Sequence, residues 1–201
     1  MKAKRAYSMT ARSASAAHTQ QRILAAARGR FLVCPYEEVT LAGVAEDAGV
    51  STQTVLNRFG TKECLFLAFA AEFFSEMDAL RSSVRRGDPR SAVRVVLQQY
   101  ELMGDLNVRV LALEARLPAL AEVSQLGRER HRGWLADTFG ELLPAESRAR
   151  RETVTALYAA TDVYVWKLLR RDLGVSLAEA TRIMDRLVRG ALTRTPEENQ
   201  K

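Results

Sequence analysis

The sequence predicts an all-α protein of about nine helices, and three observations carry that expectation. Apolar residues recur at spacings of three and four in nearly every segment, the mark of one buried helix face. No stretch alternates apolar and polar residues over the length of a strand. Gly49, the run Gly87-Asp88-Pro89, Pro118 and Pro144 stand where one helical period ends and the next begins.

Residues 1–18 are rich in Ala, Ser, Lys and Arg without apolar periodicity and are expected to form a disordered basic arm. The first amphipathic helix, Gln20 to Leu32, carries Ile23, Ala26, Ala27 and Phe31 on one face. Leu41, Val44, Ala45 and Ala48 then repeat at i, i+3, i+4 and i+7, giving a short second helix that opens at Thr40. Gly49 ends it, because the left-handed conformation common just past a helix end carries a Cβ penalty for other residues. Ser51 is a helix N-cap for the third helix, roughly Thr52 to Arg58. That helix is expected to bury Val55 and Leu56 and to expose Thr52, Gln53, Thr54, Asn57 and Arg58. A helix, a tight turn and a second helix with polar tips is the layout of a helix-turn-helix reader of DNA.

A fourth helix is expected from Thr61 or Lys62 through Leu65, Phe66, Phe69, Phe73 and Met77, linking the first helices to the rest of the chain. Val93, Val96, Leu97, Tyr100 and Met103 mark the next, followed by a shorter one from Asn107 to Leu117. Pro118 opens a long helix through Leu120, His131, Trp134, Leu135 and Phe139. The stretch Val154 to Leu169 is apolar around most of its circumference, too wide for one face and consistent with two partners or with a buried core helix. After Ser176, Ala180, Ile183, Met184, Leu187, Val188 and Ala191 make a clean final stripe, and residues 194–201 read as a flexible tail.

The run Gly49-Val50-Ser51-Thr52-Gln53-Thr54-Val55-Leu56-Asn57-Arg58-Phe59-Gly60-Thr61-Lys62-Glu63-Cys64-Leu65 resembles the TetR family of bacterial transcriptional regulators. The family pattern is Gly-Val-Ser, two variable positions, Thr-(Leu/Val)-Tyr, a variable residue, His-Phe, then Lys-Glu and Leu. Leu56 stands where the family has a tyrosine on the DNA backbone, and Arg58 replaces its histidine. The resemblance implies a helix-turn-helix DNA-binding domain at 19–65 and a helical ligand-binding and dimerisation domain at 66–193. It also implies a homodimer, a palindromic double-stranded DNA operator, and a small-molecule effector that releases a repressor. The expected DNA-binding residues are Thr40, Ser51, Thr52, Gln53, Thr54, Asn57, Arg58 and Lys62. Gln53 and Asn57 can each pair bidentately with adenine, and Arg58 can read guanine or hold phosphate. Lys62 is a cation in the first turn of a helix, a position that opposes the macrodipole unless an anion such as a phosphate lies there.

The last long helices of such a protein pack against those of a second copy, which assigns Leu157, Thr161, Tyr164, Val165, Leu168, Ile183, Met184 and Leu187 to the dimer interface. A mostly apolar effector would meet polar or aromatic groups on helices otherwise facing a core. These are Tyr100, Glu101, Met103, Glu114, His131, Trp134, Tyr158, Asp162 and Trp166.

Charge agrees with a DNA-facing N-terminus. Residues 1–62 hold nine Lys or Arg against four Asp or Glu, so most of the net charge of +6 sits in the first third. No catalytic residue, metal ligand set or cofactor is expected, since the chain has no glycine-rich phosphate loop, no GxSxG and no HExxH, and only two histidines. Cys34 and Cys64 fit no metal spacing and suggest a reducing, cytoplasmic setting. The longest apolar run, Cys64 to Ala71, falls well short of the ~20 residues of a membrane helix. The alternative is a small all-helical ligand-binding protein or enzyme without specific DNA binding.

Overall fold

A computed structural model describes the backbone of residues 2–193 and the side chains from residue 14 onward; Met1 and the expected tail at 194–201 lie outside the described residues. Within them the chain forms nine α-helices and no strand. It divides into two compact units, Met1–Phe73 and Phe74–Lys201. No helix of the described residues is long and apolar enough to cross a membrane.

The N-terminal unit begins with α1, Lys2–Val33. The segment expected to be a disordered arm is therefore helical as far back as Lys2. Six alanines before His18 supply high helix propensity, and no glycine or proline interrupts the chain before Gly29, so the helix continues without an apolar stripe to guide it. Ile23, Leu24, Ala27 and Phe31 face the core. A 3₁₀ turn, Tyr36–Glu38, leads into α2, Leu41–Asp47, and α3, Thr52–Phe59. Phe31, Tyr36, Phe66 and Phe69 form one aromatic cluster, with ring centroids 5.0 Å apart for the edge-on pair Phe31 and Phe66.

Helix α4, Lys62–Arg81, runs unbroken across the boundary between the units. The C-terminal unit continues with α5, Pro89–Leu113; α6, Pro118–Thr138; α7, Ser147–Ala160; α8, Val163–Lys167; and α9, Leu177–Thr193. Asp88 caps α5, accepting from the Arg90 and Ser91 amides ahead of Pro89 in the first turn. Helix α5 packs on α6, α8 and α9, and α7 on α6 and α9. Their shared core includes Val93, Leu97, Leu135, Phe139, Leu157, Trp166, Met184 and Val188.

Two expected boundaries differ. No break separates Met103 from Asn107, because α5 is a single helix of 25 residues. Gly104 is there for space: a Cβ on it would lie 2.3 Å from the Trp166 ring. A mid-helix glycine costs roughly 0.5–1 kcal/mol relative to alanine, and here it admits a large indole. Conversely, 154–169 is not one helix. It breaks at Thr161, restarts at the Asp162 cap as α8, and widens into a π-helical turn, Leu168–Asp172.

Candidate nucleic-acid interface and effector region

The N-terminal unit presents α3 on a framework of caps. Thr40 Oγ1 accepts from the Gly43 amide at 3.1 Å and Ser51 Oγ from the Thr54 amide at 3.1 Å, so each satisfies an otherwise unpaired N–H at its helix start. Gly49, at φ +62°, closes α2, and the α2 carbonyl end is further held by Arg22, which donates to Ala48 O and Gly49 O. Arg30 grips Asp47 with two hydrogen bonds of 2.6 and 2.9 Å, fastening α1 to α2. These two arginines were not singled out from the sequence. Their signal was only that each immediately precedes an apolar core position on α1, Ile23 and Phe31.

Val55 is the buried residue of α3. Ser51, Thr52, Gln53, Asn57 and Arg58 are exposed and Thr54 is half-buried. Leu56, expected inside, is 39% exposed. With Val55 at the centre of the buried face, the next residue turns about 100° away, toward the side of Asn57. The outer face of α3 thus combines two amides, a guanidinium and one apolar side chain. Gln53 Nε2 donates to Asn57 Oδ1 at 2.8 Å, one turn on, which aligns the two amides. Arg58 makes no hydrogen bond or ion pair among the described residues.

Lys62 opens α4 as expected, and its ammonium has partners within the chain. Its Nζ donates to Tyr36 O at 2.9 Å and Glu37 O at 3.4 Å and sits 4.4 Å from the Tyr36 ring centroid. The cation that opposes the α4 dipole is thereby satisfied by carbonyls of the preceding connection. Tyr36 also approaches Glu63 Oε1 at 3.4 Å, and its phenol is pushed up by burial and by the Glu63 charge.

In the C-terminal unit the nine expected effector residues separate. Trp166 is fully buried, and its Nε1 donates to Glu101 Oε1 at 2.8 Å. Arg170 holds the same carboxylate through Nε at 2.8 Å and Nη2 at 3.1 Å, so Glu101 stays below the usual carboxylate range. Glu101 and Trp166 are thus a clasp on the π-helical turn, fully engaged with their own chain. Glu114 pairs with Arg128 at 2.9 Å and Met103 is core.

The remaining five gather around a residue the sequence reading passed over, Arg81. It is only 8% exposed, and burial lowers its affinity for a proton. Its Nη2 donates to Gln99 Oε1 at 3.0 Å and to His131 Nδ1 at 3.1 Å, and its guanidinium lies 5.0 Å from the Trp134 ring centroid. Its Nε is buried without a hydrogen bond. His131 Nε2 lies 2.8 Å from Thr161 Oγ1, whose hydrogen goes to Leu157 O, also at 2.8 Å. Thr161 can then only accept from the imidazole, so His131 carries its proton on Nε2 and offers Nδ1 to Arg81. Burial pushes the imidazole down to about 3, with the Arg81 charge as a lesser cause, so it is neutral. Trp134 stacks on His131 at 5.7 Å between centroids and Tyr158 meets it edge-on at 5.4 Å. Tyr100 donates to Thr161 O at 3.1 Å. Asp162 caps α8 through the Tyr164 amide and, with burial the larger cause, raises Tyr158 to about 12.

Burying an ion costs several kcal/mol, whereas a cation at a helix C-terminus regains about 0.3–1 kcal/mol, and up to ~2 in a partly buried setting. Position at the end of α4 therefore does not balance Arg81. A separate shallow cleft lined by Arg86, Gly87, Asp137, Thr138, Glu141 and Arg150 is bordered by none of the expected effector residues.

Three of the eight expected dimer residues, Leu157, Thr161 and Met184, are wholly buried within the protomer and cannot face a partner. They lie on the inner side of helices whose outer side is also apolar, a distinction that an all-round apolar pattern conceals. Tyr164, Leu168 and Leu187 are 53%, 48% and 44% exposed, and Val165 and Ile183 are half-buried.

Residues 23–69 match the profile of the bacterial regulatory proteins, tetR family. No curated protein matches the chain. Among solved structures, a transcriptional regulator from Rhodococcus sp. Rha1 is similar at 21% identity and TM-score 0.70, covering 86% of this chain and 95% of that one. A putative tetR-family transcriptional regulator from Mesorhizobium loti MAFF303099 is similar at 19% identity and TM-score 0.63, covering 88% and 96%. A multidrug binding protein solved with imidazole is similar at 24% identity and TM-score 0.56, covering 83% and 88%.

Proposed function

From the tetR-family match at residues 23–69 and the fold shared with transcriptional regulators, we propose that the chain is a DNA-binding regulator of the tetR family, a homodimeric repressor released from a palindromic operator by a small molecule. The outward face of α3 carries this reading. Gln53, Asn57 and Arg58 are exposed on a helix whose position is fixed by the Ser51 cap and by Val55, so base-reading groups are presented on a rigid element. Leu56 supplies an apolar contact of the kind that recognises a thymine methyl.

The exposed Tyr164, Leu168 and Leu187 support dimerisation. Large apolar side chains this exposed on neighbouring terminal helices mark a surface that a second copy covers, and a two-fold dimer matches a palindromic site. The effector is a mostly apolar molecule received among Trp134, Tyr158 and their polar neighbours. A similar protein is a multidrug binder by its own description, which supports a search among small aromatic compounds. Release requires that the ligand favour one state of the dimer over the other, since equal affinity shifts nothing.

Mobility shift on DNA upstream of the protein's own gene, with excess random DNA and a salt series, tests the reading. A specific complex that survives competitor is expected, from a dimer by light scattering at micromolar concentration. Loss of all binding to random competitor, or a monomer, would leave the small helical ligand-binding protein as the better description.

A further inference from the structure

Arg81 is a buried cation surrounded by neutral acceptors. Gln99 is an amide, Trp134 offers a ring face, and His131 is held neutral with its proton committed to Thr161. The nearby carboxylates are engaged elsewhere: Asp78, one turn earlier, pairs with Arg130, and Asp162 caps α8. Among the described residues no ion pair reaches Arg81, and its buried Nε donates to nothing.

We propose that Arg81 anchors an organic-anion site and that the effector carries a carboxylate on a flat apolar body; this rests on the ligand-responsive reading above. Both Nη2 hydrogens go to Gln99 and His131, so the buried Nε–H is the donor left to meet a carboxylate oxygen in a charge-assisted hydrogen bond. His131 sets that arrangement. Because Thr161 passes its hydrogen to Leu157 O, the imidazole must accept at Nδ1, which holds Nη2 and leaves the adjacent Nε–H without an acceptor. The half-buried Trp134 and Tyr158 rings provide faces for an aromatic or aliphatic body beside the anion. One cation with neutral partners balances one negative charge, which selects a carboxylate over a phosphomonoester carrying about −1.5 to −2. Arg81 is also the last residue of the helix that begins at Lys62, so the anchor lies on a helix shared with the DNA-binding unit.

The test uses the full-length protein with 4-tert-butylbenzoate and 3-phenylpropionate, each against its primary amide, read by thermal shift and by operator mobility shift. The acids are expected to raise Tm at millimolar concentration and the amides to leave it unchanged. Arg81→Met should weaken acid binding at least tenfold while leaving the Tm of the unliganded protein equal or higher, because an uncompensated buried charge is gone. Arg81→Lys keeps the charge without the Nε–H and should weaken it at least threefold; it carries the test if Arg81→Met does not fold. The proposal is overturned if neither acid stabilises the wild-type protein, or if both variants respond like it. Operator release by an amide, independent of Arg81, would remove the anion site and keep the ligand-release reading. Arg81-dependent acid binding with operator affinity unchanged at saturation would keep the site and remove that reading.

Discussion

The two units place their polar groups oppositely. Around α3 the amides and the guanidinium of Gln53, Asn57 and Arg58 lie outside an aromatic core of Phe31, Tyr36, Phe66 and Phe69. In the C-terminal unit Arg81, Gln99, His131 and Thr161 lie inside. Polar groups kept at the surface by a dry core suit a large, wet, charged partner such as DNA, whose phosphates and base edges supply the missing hydrogen bonds. Polar groups kept inside at a desolvation cost need either complete internal pairing or a small partner that can enter. The network is complete at Thr161 and incomplete at Arg81 Nε, and that difference separates a structural knot from a binding site.

The sharpest attack on the dry core is Phe66→Ala. Removal of a fully buried ring should cost ~3–5 kcal/mol, measured by denaturant unfolding, and should abolish operator binding. A loss under ~1 kcal/mol would mean the aromatic cluster does not hold the reader. On the surface, Gln53→Ala and Asn57→Ala should each relax preference at one position per half-site by ~1–3 kcal/mol with little change in stability. A uniform loss across all sequences would make them backbone contacts instead.

In the C-terminal unit, Gly104→Ala forces a Cβ into Trp166 and should cost ~1–3 kcal/mol by thermal or chemical melt. A neutral outcome would show that the indole has room to move. His131 gives a pH signature. Its folded pKa is depressed to about 3 from an ordinary value near 6.5, so the unfolded chain binds the extra proton and stability falls as pH drops below about 6.5. The slope of Tm between about pH 6.5 and 5, above the range of most carboxylates, should flatten in His131→Gln. An unchanged slope would place its source elsewhere.

The helix-turn-helix was legible because its constraints are local: a capping serine, a positive-φ glycine and a buried valine are all within one short segment. The same locality let Thr40, Ser51 and Asp88 be read as structural positions. The end of α4 shows the opposite. Phe73, Met77 and Arg81 lie at i, i+4 and i+8, so the stripe that ends in an arginine was visible, but its partners Gln99 and His131 come from helices 18 and 50 residues away. Glu101 and Trp166 misled for the same reason, since their mutual hydrogen bond and the Arg170 clasp span 65 and 69 residues. Among the apolar positions of 154–169, periodicity identified apolar faces without telling the protomer's core from its surface; burial of Leu157 beside exposure of Tyr164 does.

The smallest expected effect belongs to Lys62, and it decides whether that residue belongs with the surface or with the scaffold. Its position at the start of α4 argues for a phosphate, but its ammonium is already held by Tyr36 O, Glu37 O and the Tyr36 ring. A cation–π contact at a partly exposed site contributes ~0.5–1 kcal/mol, so Lys62→Met should lower stability by about that amount. If the ammonium stays on the carbonyls when DNA binds, the salt dependence of operator affinity will be the same in wild type and variant. If it leaves them for a phosphate, the slope of log K against log salt will fall by about one per protomer and affinity for all sequences will drop together. A scaffold lysine therefore moves Tm and leaves the salt slope alone, and a drop in slope at constant Tm would return Lys62 to the DNA face.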